Sequence, residues 1–292
     1  MLAALTSREA LMNKRWWVGL LLVGCSCAAM AAGPAAVRKQ LEASMAVTGS
    51  IDIEPDGSVS GFTLAKRNQL PPAVTGLIDA VVPQWRFEPI KRNGESVKAR
   101  AKMSLLMMAT RSDDDHFKAR IAGASFGDEQ VASGETVAAI RMTPPHYPAA
   151  VSNVTGSVYL VIRIDRQGQV EDAVVEQVDL RVVADERSME RLRTAFANSA
   201  LAATKSWRFA PPTVGMSANE PFWTARVPID YQLEGSEPKY GKWQAYIPGP
   251  RQKAPWLHEG ELDAWALPDT LTAGGIYQIG AGPHLLTPPG QG

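Results

Sequence analysis

Two stretches of alternating apolar and polar residues, each broken by a glycine, set the rhythm of the chain. Val47, Gly49, Ile51 and Ile53 share one face ahead of Asp56-Gly57, and Val158, Leu160, Ile162 and Ile164 do so ahead of Gln167-Gly168. A period of two interrupted by a turn glycine predicts a β-hairpin in each place. The spacing then lengthens to that of a helix. Val74, Leu77, Ile78, Val81 and Trp85 fall on one helical face after Pro71-Pro72, and Met189, Leu192, Phe196, Ala200, Ala203 and Trp207 do the same from a start near Asp185. A period of two then returns. Val97, Ala99, Ala101, Met103 and Leu105 alternate with Lys98, Arg100, Lys102 and Ser104; Trp223, Ala225, Val227, Ile229, Tyr231 and Leu233 alternate with Thr224, Arg226, Pro228, Asp230 and Gln232.

The order hairpin, helix, strand therefore occurs twice, and each helix runs into the same pentapeptide. Trp85-Arg86-Phe87-Glu88-Pro89 matches Trp207-Arg208-Phe209-Ala210-Pro211. A Trp closing an apolar stripe is predicted to be core, the Pro ends the helix, and Arg86 and Arg208 are read as braces of the turn. The expected fold class is α+β: two small modules, each a three-stranded antiparallel sheet with one long helix packed on a face. They span residues 33–109 and 144–234. Residues 110–143 read as a linker with room for one strand, ending at Pro144-Pro145. Residues 235–292 hold ten glycines and eight prolines, which argues against regular structure, but Trp243, Tyr246, Trp256, Trp265 and Tyr277 predict that much of this tail packs against a module.

The first 32 residues read as an export signal. Met12-Asn13-Lys14-Arg15 is positive, Trp16 to Gly24 is apolar, and Ala29-Met30-Ala31 supplies small residues for cleavage, with Met12 as the expected start. Three outcomes stay open. The chain is cleaved before Ala32, or it is lipidated on Cys25, where Leu22-Val23-Gly24-Cys25 resembles a lipobox, or it keeps residues 16–32 as an inner-membrane anchor. Cys25 and Cys27 are the only cysteines, so the body has neither disulfides nor thiolate metal sites.

Charge and motif content narrow the function classes. Thirty basic residues balance thirty acidic ones, so no global field favours nucleic acid. The four histidines, His116, His146, His258 and His284, are scattered without metal-ligand spacing, and no nucleophile elbow, phosphate loop or dinucleotide fingerprint occurs. Neither catalytic residues, nor a metal, nor a cofactor is expected. Lys91, Arg92, Lys98, Arg100 and Lys102 form a basic cluster that either meets anionic lipid or wall polymer or simply guards an exposed strand edge.

Beyond these patterns, the run Pro145-His146-Tyr147-Pro148-Ala149-Ala150, followed by Gly156-Ser157-Val158, Gly168-Gln169-Val170, Trp207-Arg208-Phe209-x-Pro211 and Val227-Pro228-Ile229-Asp230-Tyr231, resembles the C-terminal domain of the TonB energy-transducer family. Copy two is similar over about 90 residues; copy one is similar from Gly49 to about Leu105 and has no Tyr-Pro element before its first strand. The resemblance implies an exported protein of a Gram-negative bacterium, in the periplasm or on the periplasmic face of the outer membrane. It implies peptide binding by strand addition along Ala225, Arg226, Val227, Pro228, Ile229, Asp230 and Tyr231. The implied partner is an outer-membrane TonB-dependent receptor or another envelope protein, with membrane contact only through a lipid or N-terminal anchor. Residues 16–32 contain no histidine and no Pro-Glu or Pro-Lys repeat follows, so a binding relative is expected rather than an energy transducer. The alternative expectation is a structural envelope protein that binds wall polymer or anionic lipid. Pro228 lacks a ladder donor, which predicts that its strand is an edge or faces that side outward.

Overall fold

The computed structural model describes residues 33–290 apart from 93, 114–115, 129–133, 237–238 and 259–266, so the expected export signal and Cys25 lie outside the described residues. Helix α1 (Pro34–Arg38) leads into β1 (Glu42–Ile53), β2 (Val59–Leu64) and α2 (Pro72–Val81). The short pair β3 (Lys91–Arg92) and β4 (Glu95–Ser96) follows, then the long strands β5 (Ala99–Asp113) and β6 (His116–Asp128). Next come β7 (Ala138–Arg141), β8 (Gly156–Ile164), β9 (Val170–Leu180), α3 (Glu186–Thr204), β10 (Arg208–Ala210) and β11 (Trp223–Tyr231). The tail adds β12 (Gln244–Tyr246) and β13 (Tyr277–Gln278). The fold is mixed α/β, mostly antiparallel sheet with few helices.

Both predicted hairpins form, with the same turn. Gly57 N–H donates to Glu54 O (2.9 Å) and Glu54 N–H to Ser58 O (2.8 Å); Gly168 N–H donates to Asp165 O (3.0 Å) and Asp165 N–H to Gln169 O (2.9 Å). Gly57 and Gly168 take φ of 82° and 75°, a region that excludes most side chains. An Asp steadies each turn from a different position. The Asp56 carboxylate accepts from Ser58 N–H (2.9 Å), whereas that of Asp165 accepts from Gln167 N–H (2.9 Å) and Gln169 N–H (2.8 Å).

The pentapeptide closes over that turn. Phe87 N–H donates to Gly57 O and Phe209 N–H to Gly168 O, both at 2.8 Å. A Cβ on Gly57 would stand 2.0 Å from Phe87 O, and one on Gly168 1.9 Å from Phe209 O. All four aromatic residues, Trp85, Phe87, Trp207 and Phe209, are buried. The arginines fold back as braces, with Nη1 of Arg86 on Trp85 O (3.0 Å) and Nη1 of Arg208 on Trp207 O (2.6 Å). One detail of the expectation changes. Helix α2 ends at Val81 with a 3-10 turn over Val82–Gln84, and α3 ends at Thr204, so Trp85 and Trp207 both sit just past their helices instead of on the helical face.

The first sheet runs β12-β1-β5-β6 with β2 also beside β1, and the second runs β13-β11-β8-β9. In each, the hairpin pair and the strand after the helix lie in the same order, β2-β1-β5 and β9-β8-β11. Val47, Ile51, Ile53, Met103 and Leu105 pack with Val74 and Ile78 of α2; Val158, Leu160, Ile162 and Val227 pack with Met189 and Phe196 of α3. Three-stranded sheets were the expectation, and β6, β12 and β13 enlarge them. The expected linker holds two strands instead of one: β7, which pairs with β10, and before it β6. Strand β6 is the longer. It pairs with β5 along its length, and a bulge between Leu106↔Gly123 and Met107↔Ile121 shifts its phase. Ile121 and Ala124, three apart, therefore both reach the core, which removes a readable period.

The tail belongs to the fold. Tyr240 Oη donates to Ala65 O (2.7 Å), β12 pairs with β1, and Ile247 exchanges two bonds with Leu180 (2.8 and 3.1 Å). Ser104 Oγ donates to Thr270 O (2.6 Å); Glu88 N–H donates to His284 O (2.9 Å) and Leu286 N–H to Arg86 O (2.8 Å). The tail thus bonds to both sheets, and residues 31–292 form one compact unit. Among the described residues no helix is long and apolar enough to cross a membrane.

The glycine–phenylalanine contact makes a direct prediction. Gly57→Ala and Gly168→Ala each lose about 1–3 kcal/mol from backbone conformation alone, with the clash added. Gly61→Ala, whose Cβ would meet only the Asp52 carboxylate at 3.5 Å, stays near the parent. Thermal unfolding of the three variants checks this, and a Gly168→Ala protein as stable as the Gly61→Ala protein contradicts it.

Candidate binding edge and adjoining cavity

The expected binding strand, β11, is built by its alternation. Trp223, Ala225, Val227, Ile229 and Tyr231 enter the core against α3, and Tyr231 Oη donates to Phe196 O (3.2 Å). Thr224, Arg226, Pro228 and Asp230 turn to the helix-free face. Backbone groups alternate with the same period, so these four residues also direct their N–H and C=O away from β8. Pro228 is therefore harmless to the β8 ladder, as its outward orientation requires.

The outer side of β11 is not bare. Residues Ala225 and Arg226 pair with Gln278 and Tyr277 of β13. Ile279 N–H donates to Thr224 O (2.8 Å) and Gly274 N–H to Pro228 O (3.0 Å). Ile276 packs against the α3 core, and Ile279 against Val161, Ala254 and Leu257. The Gln278 amide accepts from Val137 N–H (2.9 Å) and reaches Ser217 Oγ (3.5 Å). An extended segment of the chain itself thus lies along the edge from Thr224 to Pro228.

The polar residues of this strand are engaged too. Arg226, 4% exposed, makes two 2.8 Å bonds to Glu176, 2% exposed, and Arg251 of the tail binds the same carboxylate at 2.8 Å. Both charges have left water and are held by partners of opposite sign, so neither is available to a ligand unless the pair is broken. Asp230 accepts from Ser157 Oγ (2.5 Å) and from Arg181 (3.4 Å). What β11 offers a ligand is consequently its main chain.

Beside Asp230 a cavity of about 500 Å³ opens between the helix-free faces of the two sheets. Ser44 and Thr48 of β1, Tyr159 of β8, Asp179 of β9, and Tyr246 and Asp269 of the tail line it. Tyr246 Oη lies 3.0 Å from Glu42 and 3.1 Å from Asp269, yet a phenol donates only one proton. Burial pushes the Asp179 carboxyl from 3.8 up to about 7, against the lowering effect of hydrogen bonds from Gln177 (2.8 Å) and Gly249 N–H (3.1 Å). The neighbouring Asp269 and Glu42 add to the rise. Burial likewise raises Asp269 and the Tyr246 hydroxyl. No group of three His, Cys, Asp or Glu suited to a metal occurs among the described residues. Sequence reasoning missed this cavity, because its acids, Asp179, Asp230 and Asp269, come from β9, β11 and the tail with no local spacing to join them.

The five residues of the basic cluster do not form one free field. Lys98 Nζ bonds Glu54 (2.6 Å) and Arg100 bonds Asp52 through two nitrogens (2.8 and 2.9 Å), pairs that hold both carboxyls below their usual range. Lys91 and Arg92 lie on the separate pair β3–β4. Lys102 is exposed on β5, opposite Ser50 and Gly127. Strand β5 is interior, flanked by β1 and β6, so its lysines do not guard an edge.

No family model, no curated protein and no solved structure matches the chain.

The raised Asp179 carboxyl has a pH consequence. The folded chain holds this proton more tightly than the unfolded chain, so the stability it contributes is complete below about pH 4 and is lost as pH rises through about 7. Asp179→Asn keeps an oxygen for Gln177 and Gly249 and removes the charge. It is expected to raise the thermal midpoint at pH 8, by roughly 2–4 °C for each kcal/mol relieved, and to leave it unchanged at pH 4. Equal midpoints at pH 8 would overturn the assignment.

Proposed function

We propose that this chain is an exported, non-catalytic binding protein built on two copies of a TonB C-terminal-like module, each a hairpin, a helix and a third strand. In this reading the second copy, residues 144–234, receives an extended peptide at the outer edge of β11 by strand addition. The observation that carries it is the state of that edge. Its outward carbonyls at Thr224 and Pro228 are already satisfied by the main chain of an added segment, so the edge is built to take one.

Two further features support the family reading. The residues behind the resemblance converge in one core: Tyr147 meets Phe196 and Tyr231 edge-on at 5.8 and 6.2 Å, Trp207 meets Phe209 at 6.4 Å, and Gly168 seats Phe209. Tyr147 also bonds the backbone of Val154 through its hydroxyl, and Trp207 Nε1 donates to Thr143 O (2.8 Å), so the Tyr-Pro segment caps the helix exit. Copy one has no such segment. Trp85 Nε1 is buried without an acceptor among the described residues, and Phe126 of β6 packs edge-on against Trp85 instead. With its β5 edge covered by β6, copy one serves as scaffold.

The alternative, a structural envelope protein held to wall polymer or anionic lipid, draws less support, because Lys98 and Arg100 are paired with acids. A photo-crosslinking residue at Gln232, just past the covered part of the edge, separates the two in exporting Gram-negative cells. Adducts to an outer-membrane TonB-dependent receptor are expected. Adducts confined to wall polymer or lipid, or none to any receptor, contradict the proposal.

A further inference from the structure

We infer that residues 274–279 are a built-in competitor for the β11 edge, and that their sequence specifies the class of peptide the edge accepts. That class is an uncharged extended segment with a β-branched aliphatic residue, a glutamine two positions later and another aliphatic residue next to it. The inference rests on the strand-addition reading and adds to it a regulation and a specificity.

The strand is held as a removable piece would be. Strand β6 covers the corresponding edge of β5 from Ala101 to Asp113, whereas β13 is in register only at Ala225 and Arg226. Gly274 and Gly280 bound the segment with φ of 82° and 80°, and nothing lies within 4 Å of where their Cβ atoms would be. These are points at which the chain can turn away without losing packing. Beyond them the tail is fastened independently. Thr270 is bonded by Ser104 upstream, and His284 and Leu286 are bonded to Glu88 and Arg86 downstream. The segment can therefore leave the edge as a loop while both ends of the tail stay in place.

The side chains define what can replace it. Ile276, half-buried, packs against the α3 core and Ile279, half-buried, against the small cluster of Val161, Ala254 and Leu257. Between them the Gln278 carbonyl satisfies Val137 N–H and its amide nitrogen reaches Ser217. A segment lacking that amide leaves Val137 N–H without its acceptor, which is the larger penalty in recognition of a polar group. Residues 271–283 carry no charge, in keeping with an edge whose own charges, Arg226 and Asp230, are spent on Glu176, Ser157 and Arg181.

The probe is a fluorescent synthetic peptide of residues 272–281, titrated by anisotropy against the full chain and against a Tyr277→Pro/Ile279→Pro variant, whose tail has lost two main-chain donors. The variant is expected to bind the peptide at least about tenfold more tightly than the parent, and a peptide carrying Gln278→Ala is expected to lose a similar factor. A peptide carrying Tyr277→Pro is expected not to bind. An Ile276→Ser/Ile279→Ser chain, which keeps all tail donors, repeats the comparison, and circular dichroism reports whether each variant folds. Equal binding by parent and folded variants overturns the competitor while leaving strand addition standing. Binding by neither overturns both. Full affinity of the Gln278→Ala peptide removes the specificity.

Discussion

In both sheets the carbonyl of a phenylalanine rests where a side chain would begin, directly against a hairpin glycine. Phe87 and Phe209 each donate their N–H to that glycine's carbonyl at 2.8 Å, and the space left for a Cβ is 2.0 Å or less. The contact joins the turn of the hairpin to the exit of the helix, which are 30 residues apart in the first copy and 41 in the second. Once it forms, the helix must lie across the sheet, the Trp beside the Phe must face the core, and the chain must leave toward the far side of the first hairpin strand. The order β2-β1-β5 and its counterpart β9-β8-β11 follow from that one constraint.

The same constraint leaves each third strand with an outer edge, and an edge of unpaired backbone groups has to be managed. The chain manages its two edges differently. Strand β5 is followed by a hairpin return, and β6 pairs with it over its length. Strand β11 runs into a glycine- and proline-rich tail that visits both sheets and places only a short segment on the open edge. A long cover and a short one thus lie on equivalent edges, and the proposed division into scaffold and binding copy rests on that difference.

Much of this was legible in advance where a period lasted long enough. The hairpins, the two helices and the third strands show sustained periods of two or 3.6, and Pro228 announced the outward side of β11. Strand β6 was illegible because the bulge near Ile121 reverses its phase within one element. The occupant of the edge was illegible because β13 spans two residues and meets its partners from about 50 positions away. Arg226 is legible as a strand residue but not as the partner of Glu176, since only the fold brings β9 and β11 onto one face. Asp179 and Asp269 carried no signal, and Tyr246 signalled only that the tail packs: the three are separate residues until the tail folds over β9.

A peptide can reach the β11 edge only if the tail segment leaves it while the rest of the chain stays folded. Native-state hydrogen exchange of the intact chain tests this most directly. The amides of Tyr277 and Ile279 are predicted to exchange through a local opening, at least about a hundredfold faster than those of Val158 to Ile162 in β8. Protection of Tyr277 and Ile279 equal to that of β8 would mean that the segment is a permanent strand and that the edge is closed.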